Sequence, residues 1–166
     1  KLLANLVTDF DQPVISDLGG GSGRTAYSML QNLKGWKYMN FDLPEVLAVG
    51  SFFLMKNYPE KKALLYGESS ISTKAIEEND LILLPSFELQ NLPPKCVDLF
   101  INRLSLGEMF SDTAFALVKD ICSATRKYFF HMNHDGRLSR YDYGDNARGP
   151  IANDYPIPEN EFKLLV

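Results

Sequence analysis

Asp17-Leu18-Gly19-Gly20-Gly21-Ser22-Gly23 places an acid and four glycines in seven consecutive positions, directly after the short run Val14-Ile15-Ser16. Glycine has no Cβ, so its backbone reaches positive φ and can pass close to a bound molecule. A helix-compatible segment, residues 25–33, follows. The first N–H groups of a helix point unpaired toward whatever sits at such a turn. Side chains suited to proton and hydroxyl chemistry recur downstream: Asp42, then Asn102, Ser105 and Glu108, then His131, His134 and Asp135. An ionised carboxylate only accepts hydrogen bonds and can take two donors, such as the neighbouring hydroxyls of a ribose. Imidazole titrates near ~6.5 when unperturbed and can take up a proton at neutral pH. The residue types therefore describe a cradle for a nucleoside and, beyond it, a group of candidate proton acceptors.

The glycine pattern by itself admits two ligand readings. Asp-x-Gly-x-Gly-x-Gly (Asp17, Gly19, Gly21, Gly23) resembles the first motif of the S-adenosylmethionine-dependent methyltransferases. Gly21-Ser22-Gly23-Arg24-Thr25-Ala26 equally fits G-x-G-x-x-G/A, the dinucleotide fingerprint. Asp42 falls close to the ~20-residue interval at which that fingerprint wants a ribose-binding acid. A third reading is an ordinary turn after a buried strand, since glycine serves turns of every kind.

These residues need a scaffold, and the pattern of apolar runs supplies one. Residues 14–18, 37–43, 63–66, 81–84, 96–102 and 128–132 read as strands. Residues 25–33, 45–57 and 110–126 read as helices; Pro44 stands where a helix start tolerates proline. Residues 1–13 are read as the close of a helix begun upstream, 67–80 as a polar segment, 136–161 as a long loop, and 162–166 as a final strand left unfinished. Strands alternating with helices predict an α/β fold, a Rossmann-like parallel sheet with helices on both faces. Ligands bind such sheets beyond the carboxyl ends of the strands at the switch point, where the glycine turn falls.

Composition narrows the classes further. The 166 residues suffice for one domain over 1–166 with a sizeable core, 45% hydrophobic and 23% charged. The net charge of −4 with interspersed signs and no basic block gives nucleic acid no electrostatic footprint. The longest nearly apolar run, residues 46–55, is far short of the ~20 residues of a membrane span, so no membrane partner is expected. Cys96 and Cys122 match no metal-ligand spacing, and a reducing cytoplasm is the default location. The chain starts at Lys1 without a signal pattern and reads as a piece of a longer protein.

Three further stretches choose between the ligand readings. Phe41-Asp42-Leu43-Pro44 looks like the ribose-binding segment of small-molecule O-methyltransferases, although Asp42 could also cap the helix that follows. In those enzymes the end of a later strand offers small or polar groups and an apolar side chain to the adenine, and Ser86 and Phe87, after the strand at 81–84, occupy that place here. The strand after that lines the methionine half of the cofactor and the acceptor, the place of Asn102, Ser105 and Glu108. Phe-Asp-Leu-Pro-Glu-Val-Leu, Leu-Leu-Pro-Ser-Phe-Glu-Leu, Asp-Leu-Phe-Ile-Asn-Arg-Leu-Ser-Leu-Gly-Glu-Met and Tyr-Phe-Phe-His-Met-Asn-His-Asp together resemble the bacterial sugar O-methyltransferase family over residues 14–166. The resemblance implies a class I methyltransferase fold with an incomplete C-terminal strand, S-adenosyl-L-methionine as cofactor, and methyl transfer to a hydroxyl of a sugar or saccharide-containing metabolite. It assigns Asp17, Gly19, Gly20, Gly21, Gly23, Asp42, Leu43, Ser86, Phe87 and Asn102 to the cofactor.

A sugar hydroxyl is a poor nucleophile while protonated, so a general base within hydrogen-bond reach is expected. The candidates are His134, just past the strand at 128–132, Glu108, and His131 within that strand. His131 reads equally as a buried packing histidine, and Glu108 as a helix cap or a ligand for the acceptor's hydroxyls. Histidines three apart on a strand point to opposite faces, which argues against joint metal ligation; a catalytic Mg²⁺ stays open. Tyr141 and Tyr143, in the loop from Asp135 to Gly149, could wall a sugar site or simply lie on the surface. Two alternatives remain beside the methyltransferase reading, a nicotinamide-dependent oxidoreductase and a non-catalytic scaffold of the same fold. A homo-oligomer is compatible with all three.

Overall fold

Runs of Val, Ile, Leu and Phe without polar alternation fit strands covered on both faces. Such runs form the centre of a six-stranded parallel sheet in the computed structural model, which describes residues 2–133 and 150–165. The strands are β1 (Val14–Leu18), β2 (Lys37–Asp42), β3 (Ala63–Leu65), β4 (Leu81–Pro85), β5 (Val97–Arg103) and β6 (Thr125–Met132). Their spatial order is β3-β4-β2-β1-β5-β6, every pair parallel. The chain winds outward from β1 to one edge, then returns to place β5 on the other side of β1. The carboxyl end of β1 is therefore the switch point, and the glycine turn leaves from it.

Helices cover both faces. On one, α1 (Leu2–Asn5), α2 (Arg24–Leu30) and α3 (Pro44–Asn57) bury Ala26, Leu30, Leu47 and Leu54 against Ile15, Tyr38, Leu83 and Ile101. On the other, α4 (Thr73–Glu78) and α5 (Ser111–Ala124) bury Ile76, Val118 and Ile121 against Leu18, Phe41, Leu84 and Phe100. No helix among the described residues is long and apolar enough to cross a membrane.

Three boundaries differ from the sequence reading. The polar segment 67–80 contains α4, whose first turn is capped by the Ser72 hydroxyl accepting from the Ala75 N–H at 3.1 Å. It buries only Ala75 and Ile76, too few to register as a periodic stripe. The helix expected over 110–126 stops at Ala124, and the chain passes straight into β6. Arg126 thereby lies on a strand, and its Nε and Nη2 donate to Asp98 Oδ1 at 2.9 and 2.7 Å, while Asp98 Oδ2 accepts from the Val14 N–H at 3.0 Å. This knot ties β1, β5 and β6 together at the end of the sheet away from the glycine turn.

The final strand expected over 162–166 is not formed by residues 162–165. The Phe162 N–H donates to the Pro158 carbonyl at 3.0 Å, so the chain turns there. Phe162 packs against the α5 side of the core, and Leu164 and Leu165 are exposed and unpaired with any strand among the described residues.

Candidate functional site

The β1–β2 ladder continues one step into the glycine turn, where the Gly19 N–H donates to the Phe41 carbonyl at 2.8 Å. From there the turn lifts off the sheet. Gly19, Gly21 and Gly23 all hold positive φ, at 78°, 60° and 77°. Gly21 is the informative one, because a Cβ built on it would meet nothing within 4 Å. Its backbone is bare toward open space, the condition for a ligand to approach closely. Gly20 is needed for the opposite reason: a Cβ there would strike Asn40 Oδ1 and come within 3.1 Å of the Tyr38 hydroxyl.

Asp42 ends β2 beside this turn and is 9% exposed. Its Oδ2 accepts from the Gly21 N–H and its Oδ1 from the Leu43 N–H, each at 2.8 Å. The carboxylate thus faces the turn and fixes Gly21. Each oxygen keeps a second lone pair for a further donor. Leu43, 60% exposed, follows it, and across the sheet Asp42 is in register with Pro85, after which come Ser86 and the half-exposed Phe87. Tyr66, just past β3, stands edge-on to Phe87 with ring centroids 5.5 Å apart. Exposed apolar side chains therefore lie next to a carboxylate at the carboxyl edge of the sheet, an arrangement that can take a flat base and a ribose together.

Asp17 is placed beneath the turn and is 2% exposed. The Tyr38 hydroxyl donates to its Oδ2 at 3.4 Å. Burial pushes the Asp17 carboxyl up to about 7, partly opposed by the Arg103 guanidinium and by the Tyr38 bond. The same burial, together with Asp17 itself, holds the Tyr38 hydroxyl well above its ordinary range. Arg103 reaches from the end of β5 to donate from Nη2 to the Thr25 hydroxyl at 2.5 Å, spanning the turn.

Asn102 is fully buried. Its Nδ2 donates to the Leu18 carbonyl at 3.0 Å and to Ser105 Oγ at 2.5 Å, and its Oδ1 accepts from Asn133 Nδ2 at 2.8 Å. Asn133 in turn accepts from the Gly107 N–H at 3.2 Å. Both amide donors of Asn102 are committed, so its side chain ties the ends of β1, β5 and β6 together. Leu104, between Arg103 and Ser105, holds φ 68°, a strained value for a branched residue, at this same junction.

The proton-acceptor candidates separate. Glu108 sits on the 3₁₀ turn Leu106–Glu108 just after this junction and is exposed at the carboxyl end of the sheet. His131, in register with Asn102 on β6, packs its ring between Phe129 and Tyr155, with centroids 5.2 and 5.4 Å away. Its Nδ1 is buried with no partner among the described residues, and burial lowers its pKa. That is the surrounding of a packing histidine. His134, Asp135, Tyr141 and Tyr143 lie outside the described residues. Among the described residues no group of three or more His, Cys, Asp or Glu side chains is placed to hold a metal ion.

Sequence reading passed over Tyr38, Asn40, Gly50 and Arg103. A signal for the first two exists: Tyr38, Asn40 and Asp42 alternate along β2 as a polar stripe in an otherwise apolar run, and period two puts them on one face. Gly50 and Arg103 carry no local signal, because their importance comes from elements distant in the chain.

A parallel sheet of this order, with a glycine turn at its switch point and a carboxylate ending the adjacent strand, defines the class I methyltransferase-like fold. Residues 4–103 match the O-methyltransferase domain, and the chain belongs to that family. Solved structures agree on the fold. Mitomycin 7-O-methyltransferase MmcR is 15% identical with a TM-score of 0.53, covering 85% of this chain and 38% of that one. A SAM-dependent methyltransferase from Aquifex aeolicus is 12% identical with a TM-score of 0.54, covering 92% of this chain and 68% of that one. PigF, solved with SAH, is 18% identical with a TM-score of 0.50, covering 86% of this chain and 43% of that one. This chain therefore spans well under half the length of MmcR and of PigF. No curated protein matches it.

Proposed function

We propose that this chain binds S-adenosyl-L-methionine at the glycine turn and directs its methyl group to a hydroxyl of a sugar or saccharide-containing metabolite. The observation that carries the reading is the Asp42 carboxylate bonded to the Gly21 N–H beside a stretch of turn open to solvent. Family membership and the fold shared with PigF, whose structure holds SAH, support it.

The residues fit such a cofactor. Asp42 has lone pairs for a ribose diol, Leu43 and Phe87 offer apolar surface for a base, and Gly21 leaves room for close approach. When bound, S-adenosylmethionine supplies a methyl group on a positively charged sulfur that is already a good leaving group. What the chain must contribute is alignment, which can account for much of the acceleration. A proton acceptor for the attacking hydroxyl completes the requirement. Glu108, exposed after the end of β5, is the candidate among the described residues, and an exposed carboxylate also suits a polyhydroxylated acceptor. His134, two residues past β6, is the second candidate.

Titration calorimetry with S-adenosylhomocysteine tests the cofactor assignment on the full-length protein. The expected result is micromolar-range binding, weakened at least tenfold by Asp42→Ala, with NADH fluorescence unchanged on addition of protein. Absence of S-adenosylhomocysteine binding refutes the assignment. Mass-spectrometric detection of methylated saccharides then tests the acceptor class.

A further inference from the structure

Asn40 lies on β2 two residues before Asp42, with its side chain wholly buried. Neither its Oδ1 nor its Nδ2 has a hydrogen-bond partner among the described residues. A carboxamide taken out of water without partners is a net cost to the fold, and folded proteins pair nearly all such groups. Yet polar backbone is close on two sides. A Cβ on Gly20 would fall on Asn40 Oδ1, so the turn presses directly on the acceptor end of the amide. A Cβ on Gly50 of α3 would lie 3.3 Å from Asn40 Nδ2 and 2.5 Å from the Gly21 carbonyl oxygen, so the donor end and that carbonyl border the same point. The turn touches the amide but makes no hydrogen bond to it, and the Gly21 N–H is committed to Asp42 Oδ2.

We propose that Asn40 is a positioning residue for the nucleoside cofactor. When the ligand's diol engages Asp42, the Gly20 and Gly21 peptide groups rotate onto the Asn40 carboxamide. Oδ1 then accepts a turn N–H, and Nδ2 donates to the Gly21 carbonyl. Gly19, Gly20 and Gly21 carry no Cβ, so their peptide groups can adopt orientations that other residues could not. The ligand-free turn satisfies Asp42 and leaves Asn40 without partners; the bound turn satisfies both. The ligand thus selects an arrangement in which a buried polar group ceases to be unpaired. Because no N–H in the ligand-free turn reaches Asn40, the residue contributes to binding without contributing its hydrogen bonds to the ligand-free fold. This inference rests on the cofactor reading above and adds how the turn is held when the ligand is present.

The test uses Asn40→Ala and Asn40→Ser in the full-length protein, with S-adenosylhomocysteine as the probe. Three readouts are taken: the ligand-free melting temperature, the Kd by calorimetry, and amide hydrogen exchange at Gly20 and Gly21 with saturating ligand. Asn40→Ala is expected to melt within a few degrees of the wild type and bind at least tenfold more weakly. It should also lose the ligand-induced protection of the two turn amides that the wild type shows. Asn40→Ser, whose hydroxyl both donates and accepts, is expected to recover part of the affinity. Affinity within twofold of wild type for Asn40→Ala overturns the inference. So does unfolding of both variants, or a loss of melting temperature that accounts for the affinity change while the turn amides remain protected. If the wild type itself fails to bind, the cofactor reading falls first and this inference with it; if the wild type binds and the variants bind equally, only this inference falls.

Discussion

Replacing Gly50 with alanine sets two effects of opposite sign against each other. Gly50 lies in the interior of α3, where alanine is favoured over glycine by about 1 kcal/mol from helix propensity alone. On a free helix the substitution would therefore stabilise. In this fold the new Cβ would lie 2.5 Å from the Gly21 carbonyl oxygen, roughly 1 Å inside ordinary contact distance. The obstacle is backbone, so it cannot rotate away as a side chain would; either α3 or the turn must move. Overpacking of this kind typically costs about 1–3 kcal/mol. The net expectation is a loss of about 0–2 kcal/mol in urea unfolding, small because the two terms nearly offset. Ligand binding has no such offset. A Cβ there would also stand between the Gly21 carbonyl and the Asn40 amide that meet in the bound turn, so affinity for S-adenosylhomocysteine should fall at least about tenfold, or ~1.4 kcal/mol. Urea denaturation and calorimetry on the same preparation give both numbers. A variant that is about 1 kcal/mol more stable and binds as the wild type does would refute the claim that α3 and the turn are in backbone contact.

Three other outcomes follow from the geometry. Asp17 titrates at about 7 in the fold against 3.8 unperturbed, so the fold favours its protonated form. Its contribution is most favourable below the unfolded value and is lost as pH rises from about 4 through about 7, on the order of 4 kcal/mol in total. Asp17→Asn should flatten that part of the stability–pH curve measured by chemical denaturation, and an unchanged slope would contradict the burial argument. Asp98→Ala removes the knot at the far end of the sheet, leaving the Val14 N–H without its acceptor; a loss of about 2–3 kcal/mol is expected, with cofactor affinity unchanged because the glycine turn is at the opposite end. Glu108→Gln should leave the Kd for S-adenosylhomocysteine within twofold of wild type and lower methyl transfer to a saccharide by on the order of 100-fold, read by incorporation of labelled methyl. Unchanged transfer would move the proton-acceptor role to His134.

The strands and the main helices were legible because their signals are local. Runs such as Leu81-Ile82-Leu83-Leu84 need burial on both sides, which a parallel sheet between helix layers gives. Helix α4 escaped notice because it buries two residues and is otherwise polar, and the end of α5 was misplaced because Arg126 suits a helix as well as a strand. The strand expected at the C-terminal end failed for a non-local reason. An apolar stretch becomes a strand only by pairing with a neighbour's backbone, and among the described residues 162–165 pair with no strand of the sheet.

By itself the sequence determined that a glycine-rich turn follows the first strand and that a carboxylate ends the second. The Asp17–Gly23 turn and Asp42 are covalent facts about spacing, and glycine's backbone freedom and a carboxylate's lone pairs do not depend on the rest of the molecule. Only the tertiary structure decided which polar groups face that place and which serve it from behind. Asn102 proved to be a tie between strand ends, His131 a ring packed between Phe129 and Tyr155, and Asn40 and Gly50 the surfaces on which the turn rests. These roles depend on distances between segments far apart in the chain, and such distances exist only once the sheet has set its strand order and the helices have closed over it.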